Sequence, residues 1–571
     1  MPTLSELKTY LARNNFIHPS YNIYGGEKGL HSYGTLGTIF KRKLINLWRK
    51  FFIHNTNIDE IETPIITPYQ VLKQSGHVDR FTDFVVMDKN RKVYRADHLL
   101  KNYFKGKKKL DKLVNQVEQW DENKMSEEIN RHKIIVGSQN KPVKVTKTNL
   151  MFKIDSNNKQ YYMRPELAQG LFVNFKQQLS KRSIPFGLSQ IGKSYRKEIS
   201  PEPLIRLRAF YQAEIEYFYD PNIPKHRQFY MIKDTKIPII SNKMQLDNCY
   251  VPIFITAEQL VKNQFVGTEI MAYFLTRIYL FALNIGLDKN KIRFREHLDN
   301  ELAHYSNECW DLEVLIDDRW IECTGCADRG SFDLRAHSLN ISQKARRKLE
   351  RPITKTFYRS ILNRALIGKE FHKASNTIIK HFTKMNQEEL KELKNKVLSI
   401  KDNMFIQIEE TSYQIKKGMI KVEEFKKTVN YEEYYPHVVE PSFGIDRLIM
   451  AIFDHNYTTP RKNLKRIVMV LPKQLVPYDI AVLQLYNKEN LLNKVETVLT
   501  ELSKYSCYVD YSSTSIGKRY TRVDEIGIKY TITIDYQTLE DSTVTIRDRD
   551  TMEQNRIKID ELDKTMKTLL N

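Results

Sequence analysis

Between Gly187 and Phe218 the chain reads GLSQIGKSYRKEISPEPLIRLRAFYQAEIEYF, where basic side chains and carboxylates are spaced in a way that could serve phosphate chemistry. The stretch Gly187–Ser194 fits G-x-x-x-x-G-K-S, the pattern of a backbone loop that cradles phosphates. Such a loop follows a buried strand and opens a helix at its Lys-Ser. Here Pro201 and Pro203 follow Ser194 closely, and no helix runs through them. No long aliphatic strand precedes Gly187 either, so the glycine cradle is set aside. Period two fits better. From Arg206 the even positions carry Arg206, Arg208, Phe210, Gln212, Glu214 and Glu216, while the odd ones carry Leu207, Ala209, Tyr211, Ala213, Ile215 and Tyr217. Leu188–Arg196 also reads as extended, with 197–205 as the loop. The prediction is an antiparallel hairpin with one charged face. The ordinary alternative is a solvated sheet face with paired charges.

Such a hairpin needs a frame. Residues 35–53 place Leu36, Phe40, Leu44, Leu47, Trp48 and Phe51 at helical spacing, which predicts an amphipathic helix. IDEIETPIITP (58–68) reads as extended. Residues 100–147 and 338–430 are rich in charged residues and read as insertions, the first partly helical and mobile. From 466 a short aliphatic strand, helix-period segments and a second strand precede two β-rich runs, YTITIDY (530–536) and STVTIRDRD (542–550), and a final polar helix. That pattern predicts an appended α/β domain.

The 571 residues suffice for several domains. The balance of 91 basic against 69 acidic residues, a net charge of +22, favours a polyanionic partner. Five cysteines, few and odd in number, argue against a disulfide framework and for a reducing compartment. The segment MPTLSELKTYLARNN carries Glu6 and no apolar h-region, and no apolar run reaches the ~18–20 residues of a membrane span. A cytoplasmic protein without a membrane partner is expected.

Arg196-Lys-Glu198, a loop, and Arg206-Leu-Arg-Ala-Phe210 resemble motif 2 of the class II aminoacyl-tRNA synthetases. Gly444-Ile-Asp-Arg447, opening an apolar helix, resembles motif 3, and the helix 35–53 running to Pro64 is similar to motif 1, the dimer element of that family. In collinear order, IYGGEKGLHSYGTLG (23–37), SGHVDRFTDF (75–84), YRADHLLKN (94–102), MRPELAQG (163–170), KIRFREHLDNELAHYSNECWDLE (291–313), WIECTGCADRGSFDLRAHS (320–338), SSTSIGKRYTRVDEIGI (512–528) and TIRDRDTMEQ (545–554) resemble the eukaryotic and archaeal glycyl-tRNA synthetases.

The resemblance implies an α+β fold: an antiparallel-sheet catalytic core with helices, split into 1–99, 148–337 and 431–465 by insertions at 100–147 and 338–430, and an anticodon-binding α/β domain at 466–571. It implies that Arg196 holds the ATP α-phosphate, that Phe210 stacks on adenine, and that Arg447 contacts adenine and the γ-phosphate. Lys197, Glu198, Arg206, Leu207, Glu322 and Cys323 complete the ATP-binding positions, with Glu322 as a ligand for Mg²⁺. Glu166, Glu214 and Glu440 are expected around the glycine ammonium, with Ser442 against its α-carbon and Pro441 as a further glycine-binding position. The physics agrees: a fixed guanidinium stabilises charge building on an α-phosphate, and any side chain larger than hydrogen is excluded sterically. Arg196 and Arg447 are thus the expected catalytic residues of a glycine–tRNA ligase that uses ATP and charges tRNA(Gly) as a homodimer. Lys518, Arg519, Arg522 and Asp524 are the expected anticodon contacts.

Cys323-x-x-Cys326 is a single pair without a matching second pair, so zinc is not expected. The run KGKKKLDK (105–112) is read as touching tRNA or solvating the insertion. Three departures from the family pattern stand out: Lys197 in place of asparagine, Ala209 in place of glutamate, and a motif 2 loop one residue short at Glu202-Pro203. The competing reading is a catalytically inactive, nucleic-acid-binding accessory protein.

Overall fold

A computed structural model describes residues 3–570 except 108–109, 111–112, 115, 118–119, 138–141, 340, 400–402, 409–410, 459–467 and 487. The start of the predicted strand at Arg466 and much of the basic run 105–112 lie outside the described residues. The chain forms two compact units, Met1–Gln343 with Tyr435–Asn571, and Lys344–Tyr434.

The first unit is organised by a nine-stranded sheet in the order Ile253–Thr256, Lys236–Ile240, Ile292–Glu296, Glu308–Ile316, Arg319–Gly330, His437–Gly444, Ala209–Tyr219, Phe186–Tyr195, Ile58–Glu60. Its neighbours pair antiparallel except at Phe186–Tyr195 with Ile58–Glu60 and at Lys236–Ile240 with Ile292–Glu296. The predicted hairpin is present, with Phe186 opposite Phe218 and Tyr195 opposite Ala209. Gly187 and Gly192 lie within its first strand. A Cβ on Gly187 would meet the Ile58 side chain at 2.8 Å, and one on Gly192 would meet Arg164 Nη2 at 2.3 Å. These glycines permit close packing within a sheet, not a phosphate loop.

One face of the sheet buries Ala213, Ile215 and Tyr217 in the main core, as the odd positions of the hairpin predict. Three helices, Thr35–Phe52, Glu269–Asn284 and Ile445–Asn456, supply much of that core. The first buries Leu36, Phe40, Leu44, Ile45, Trp48 and Phe52, while the predicted Leu47 and Phe51 are only partly covered. Each fully buried side chain of this size contributes roughly 1.5–3 kcal/mol. On the opposite face the helix Ala168–Leu179 packs Phe172 and Phe175 against Phe186 and Phe218. Glu214 and Glu216 point to that second face and are also buried.

The segment predicted as a mobile insertion carries a core of its own. Helices Ala96–Phe104 and Glu122–Arg131 gather Leu100, Phe104, Met125 and Ile129 with Val117, Val136, Val143 and Val145. These apolar residues are too sparse along the sequence to announce themselves beside so many charges.

Toward the C-terminus a five-stranded sheet runs Cys507–Val509, Ile480–Gln484, Tyr530–Ile534, Thr543–Asp548, Gln554–Lys558. The first three strands are parallel and the last two antiparallel. The strand Ile480–Gln484 departs from the sequence pattern: it falls where helix-period segments are expected, but it forms a central strand buried along its whole length. A strand covered on both faces shows no alternation, so its period cannot separate it from a helix. Of the strand expected at 466, the described part is the two-residue Val468–Met469. The N-terminal helix Leu4–Arg13 meets this region through Arg13, which pairs with Glu525 at 3.1 Å, and the helix Thr35–Phe52 through Lys43, whose Nζ donates to the Val476 carbonyl at 2.7 Å.

The second unit is built on a long antiparallel ribbon, Ala345–Leu362 with Ile420–Tyr434. A hairpin, Asn403–Ile408 with Thr411–Lys416, and the helices Arg364–Phe371, Ser375–Lys384 and Gln387–Ser399 enclose Ile367, Ile378, Phe382, Leu390 and Leu393. Among the described residues no helix is long and apolar enough to cross a membrane.

Candidate active site

Three neighbouring strands carry the carboxylates. Glu214 lies opposite Ser442, and Ser442 lies opposite Gly325, so one line across the sheet joins Ala209–Tyr219, His437–Gly444 and Arg319–Gly330. Glu166 enters from the segment just before the helix Ala168–Leu179. Above this line lies a cavity of ≈ 250 Å³. Glu166, Arg196, Glu198, Arg206, Leu207, Phe210, Glu214, Glu322, Cys323, Glu440, Ser442 and Arg447 all line it. Lys197 and Pro441 do not. The Lys197 amide donates to the Leu150 carbonyl at 2.6 Å, and Pro441 is held within its strand opposite Cys326.

Each carboxylate is anchored differently. Glu214 accepts from the Leu167 amide at 2.8 Å and from the Ser442 hydroxyl at 2.9 Å. Burial first, then the charges of Glu440 and Glu166, push its pKa up to about 8. Glu166 faces His77 Nε2 at 3.2 Å and accepts from Gln169 at 3.1 Å. Burial alone would raise its pKa, but His77 and Arg329 outweigh burial and hold Glu166 well below the usual carboxylate range. Glu440 accepts from Arg329 Nη1 at 2.7 Å, and burial still leaves its pKa raised. Glu216, one pleat beyond Glu214, is fully buried, and neither carboxylate oxygen is hydrogen-bonded among the described residues. Burial, then Glu440, hold it well above the carboxylate range, as expected of a neutral acid.

Arg329 organises this cluster from behind. It is 1% exposed, grips Asp333 through Nε at 2.8 Å and Nη2 at 3.0 Å, and lies over the Tyr305 ring at 3.8 Å. The sequence reading assigned no role to Arg329, His77, Asp333 or Tyr305. The quoted motifs contain all four, but only the fold brings them together.

The arginines sit over the same cavity. Arg196 lies between the Phe81 and Phe210 rings, 5.3 Å from each, with Nε donating to the Pro165 carbonyl at 3.1 Å. Arg447, on the first turn of Ile445–Asn456, donates to the Ile205 carbonyl at 2.9 Å and the Glu322 carbonyl at 2.7 Å, and faces the Glu322 carboxylate at 3.3 Å. Burial works against the Glu322 charge, but Arg447 and Arg196 keep its pKa lowered. Asp446 is held by the Tyr33 hydroxyl and accepts from the Tyr211 amide at 2.5 Å.

The four anticodon candidates separate by burial. Arg519 is 2% exposed and donates to the carbonyls of Thr514, Asp510 and Leu485. Asp524, also 2% exposed, is held by Arg547 at 2.9 and 3.1 Å. Lys518 and Arg522 remain on the surface of the helix Ile516–Glu525.

Residues 151–456 match the family described as the tRNA synthetase class II core domain (G, H, P, S and T), and residues 477–569 match the anticodon binding domain. The chain is 39% identical to a glycine–tRNA ligase of Methanocaldococcus jannaschii, covering 96% of each sequence. It is 36% identical to glycine–tRNA ligase 2 of Saccharomyces cerevisiae, covering 100% of this chain and 97% of the relative. Among solved structures, a crystal structure described as the RNA binding domain of threonyl-tRNA synthetase from Cryptosporidium parvum Iowa II aligns over 98% of both chains, with a TM-score of 0.52 at 15% identity, a likeness of fold.

Proposed function

The chain belongs to the glycine–tRNA ligases of the class II aminoacyl-tRNA synthetases, and from that membership we propose how its cavity works. Glycine and ATP bind together. The glycine carboxylate attacks the α-phosphate in line, pyrophosphate leaves, and the terminal hydroxyl of tRNA(Gly) then attacks the glycyl carbonyl and releases AMP. The protein supplies position and charge, and no residue acts as a nucleophile.

The ammonium is placed among Glu166, Glu214 and Glu440, with Ser442 against the α-carbon. Arg196 stabilises the α-phosphate charge. Phe210 carries the adenine, and Arg447 reaches the adenine and γ-phosphate. Glu198, Arg206, Leu207 and Cys323 line the nucleotide space, and Lys197, which does not line the cavity, stays an ATP-binding position by family resemblance alone. Members of the family use a divalent metal, here proposed as Mg²⁺. Glu322 and Asp311 fit it: both line the cavity, and after burial the charge of Glu322 is what raises Asp311 to about 6. A divalent cation held by Glu322 and Asp311 would relieve that repulsion. When bound, it supplies charge neutralisation for the phosphates.

What supports this reading above all is that the glycine carboxylates and the phosphate arginines, distant in sequence, line a single cavity. The same convergence gives the accessory-protein reading no support. The core is assigned to 1–99, 148–337 and 431–465, the insertions to 100–147 and 338–430, and anticodon binding to 466–571, with Lys518 and Arg522 as its surviving contacts. A cytoplasmic homodimer through the helix Thr35–Phe52 completes the proposal. Glycine-dependent ATP–pyrophosphate exchange, with alanine, serine and threonine as controls, tests it. Exchange with glycine alone is expected, and its absence from folded protein would overturn the reading.

A further inference from the structure

The wall of the cavity holds a second cluster, with Asp311 opposite Gly325 on the same cross-strand line that carries Ser442 and Glu214. His297 follows the strand Ile292–Glu296, and Cys309 and Asp311 lie on the neighbouring strand Glu308–Ile316. Two residues apart, Cys309 and Asp311 share one face of their strand. The His297 amide donates to the Cys309 carbonyl at 2.9 Å, which seats the imidazole beside both. One ligand atom from each residue lies within 4.8 Å of the other two. His297 Nε2 is 2.8 Å from Asp311 Oδ2, while Nδ1 is enclosed and has no hydrogen-bond partner among the described residues. The Cys309 thiol is in no disulfide.

We infer that His297, Cys309 and Asp311 form a binding site for a thiophilic divalent cation of the Zn²⁺ type. Imidazole, thiolate and carboxylate together are a donor set for zinc, and the fourth tetrahedral position opens into the cavity for water or a phosphate oxygen. Ligand atoms around a tetrahedral ion with ~2.0–2.3 Å bonds stand about 3.5 Å apart, so side-chain rotations of about an ångström close this site. Mg²⁺, which takes oxygen ligands, is disfavoured by the thiol and the imidazole. A plain ion pair between His297 and Asp311 would account for Nε2 and leave the thiol beside it unexplained. The C-x-x-C spacing that first suggests zinc is a different feature: the Cys326 thiol rests against Met271 Sδ at 3.5 Å. A zinc ion bound here would occupy Asp311 and so oppose amino-acid activation. The zinc site shares Asp311 with the proposed Mg²⁺ position, and metal binding read without ATP or Mg²⁺ tests it apart from that reading.

The test uses the full chain, stripped with a chelator and titrated with Zn²⁺ against a chromophoric chelator and, separately, with Co²⁺. The expected result is a single tight Zn²⁺ and a thiolate-to-cobalt charge-transfer band in the near ultraviolet. Cys309→Ser should abolish the band and weaken Zn²⁺ by at least the ~10–100-fold that altered supporting residues cost at metal sites. His297→Asn should weaken Zn²⁺ while keeping the band, and Cys249→Ser should change neither. Thermal unfolding checks that each variant is folded, and His297→Asn decides the matter if Cys309→Ser is not. Wild-type zinc affinity in folded Cys309→Ser, no cobalt band, or a band lost in Cys323→Ser instead would overturn the assignment.

Discussion

Glu214 and Ser442 face each other across adjacent strands, with the serine hydroxyl donating to Glu214 Oε1 at 2.9 Å. The serine therefore has two tasks in the proposed site, closing the space beside the glycine α-carbon and orienting a glycine carboxylate. Ser442→Ala removes a bond to a group that must be charged when glycine binds. The expected cost is about 1–3 kcal/mol in kcat/KM for glycine, read by pyrophosphate exchange. An unchanged value would remove Ser442 from the pocket.

Glycine affinity should depend on pH through the same carboxyl group. Burial, with Glu440 and Glu166, raises Glu214 to about 8, so without glycine it holds a proton at neutral pH. An ammonium beside it favours the ionised form, and glycine binding then releases that proton. The KM for glycine should fall as pH rises toward about 8, by up to roughly tenfold per unit, and level off above it. The linkage to folding runs the other way. The raised pKa means that stability is fullest below the ordinary carboxylate range and declines as pH climbs through about 8. Glu214→Gln should flatten both profiles. A glycine KM that ignores pH in the wild type would contradict the assignment.

Arg196 lies between two aromatic rings with its Nε fixed on the Pro165 carbonyl, so its guanidinium is oriented before any ligand arrives. Removing such a preorganised charge costs on the order of 3–4 kcal/mol in the chemical step. Arg196→Ala should lose that much in adenylate formation with little change in its unfolding transition. Arg196→Lys should not restore it, because a point charge cannot replace the planar fork. Near-normal adenylate formation by the alanine variant would refute the role.

Some of this was legible before the fold was known. Alternation from Arg206 to Tyr217 gave the hairpin, and Pro201 and Pro203 ruled out the helix that a phosphate loop requires. The strand Ile480–Gln484 was hidden by being buried on both faces. The layer behind the pocket was hidden for another reason. Arg329 serves Glu440, more than a hundred residues away, and Asp333, one helical turn on. No local pattern separates such an arginine from one that faces water. Arg519 and Asp524 show the converse, since a basic helix reads as a surface although two of its charges are turned inward.

Arg329 makes a sharp contrast with surface pairs. Its ion pairs with Asp333 and Glu440 are enclosed, whereas Arg346 and Glu433 are 64% and 45% exposed at 3.2 Å. Arg329→Met strands two buried carboxylates and should destabilise the protein by about 3–5 kcal/mol in urea unfolding. Arg346→Met should cost no more than about 1 kcal/mol. Equal effects would mean that the buried network carries no special weight.

Lys518 and Arg522 are the anticodon-domain candidates that can still reach RNA, and their partners predict how they differ. Arg522 pairs with Asp510 at 3.1 Å and with the Ser512 hydroxyl at 3.0 Å, so it is held in place but 45% exposed. A phosphate contact from either residue releases about one counterion on binding. Lys518→Ala and Arg522→Ala should each weaken tRNA binding and lower the salt slope of log Kd by roughly 0.7–0.9, leaving glycine-dependent exchange intact. Arg519→Ala should instead lower thermal stability, because the carbonyls of Thr514, Asp510 and Leu485 lose their buried donor. A salt slope that moved with Arg519→Ala in folded protein, and not with Lys518→Ala or Arg522→Ala, would shift the RNA surface off the exposed face of this helix.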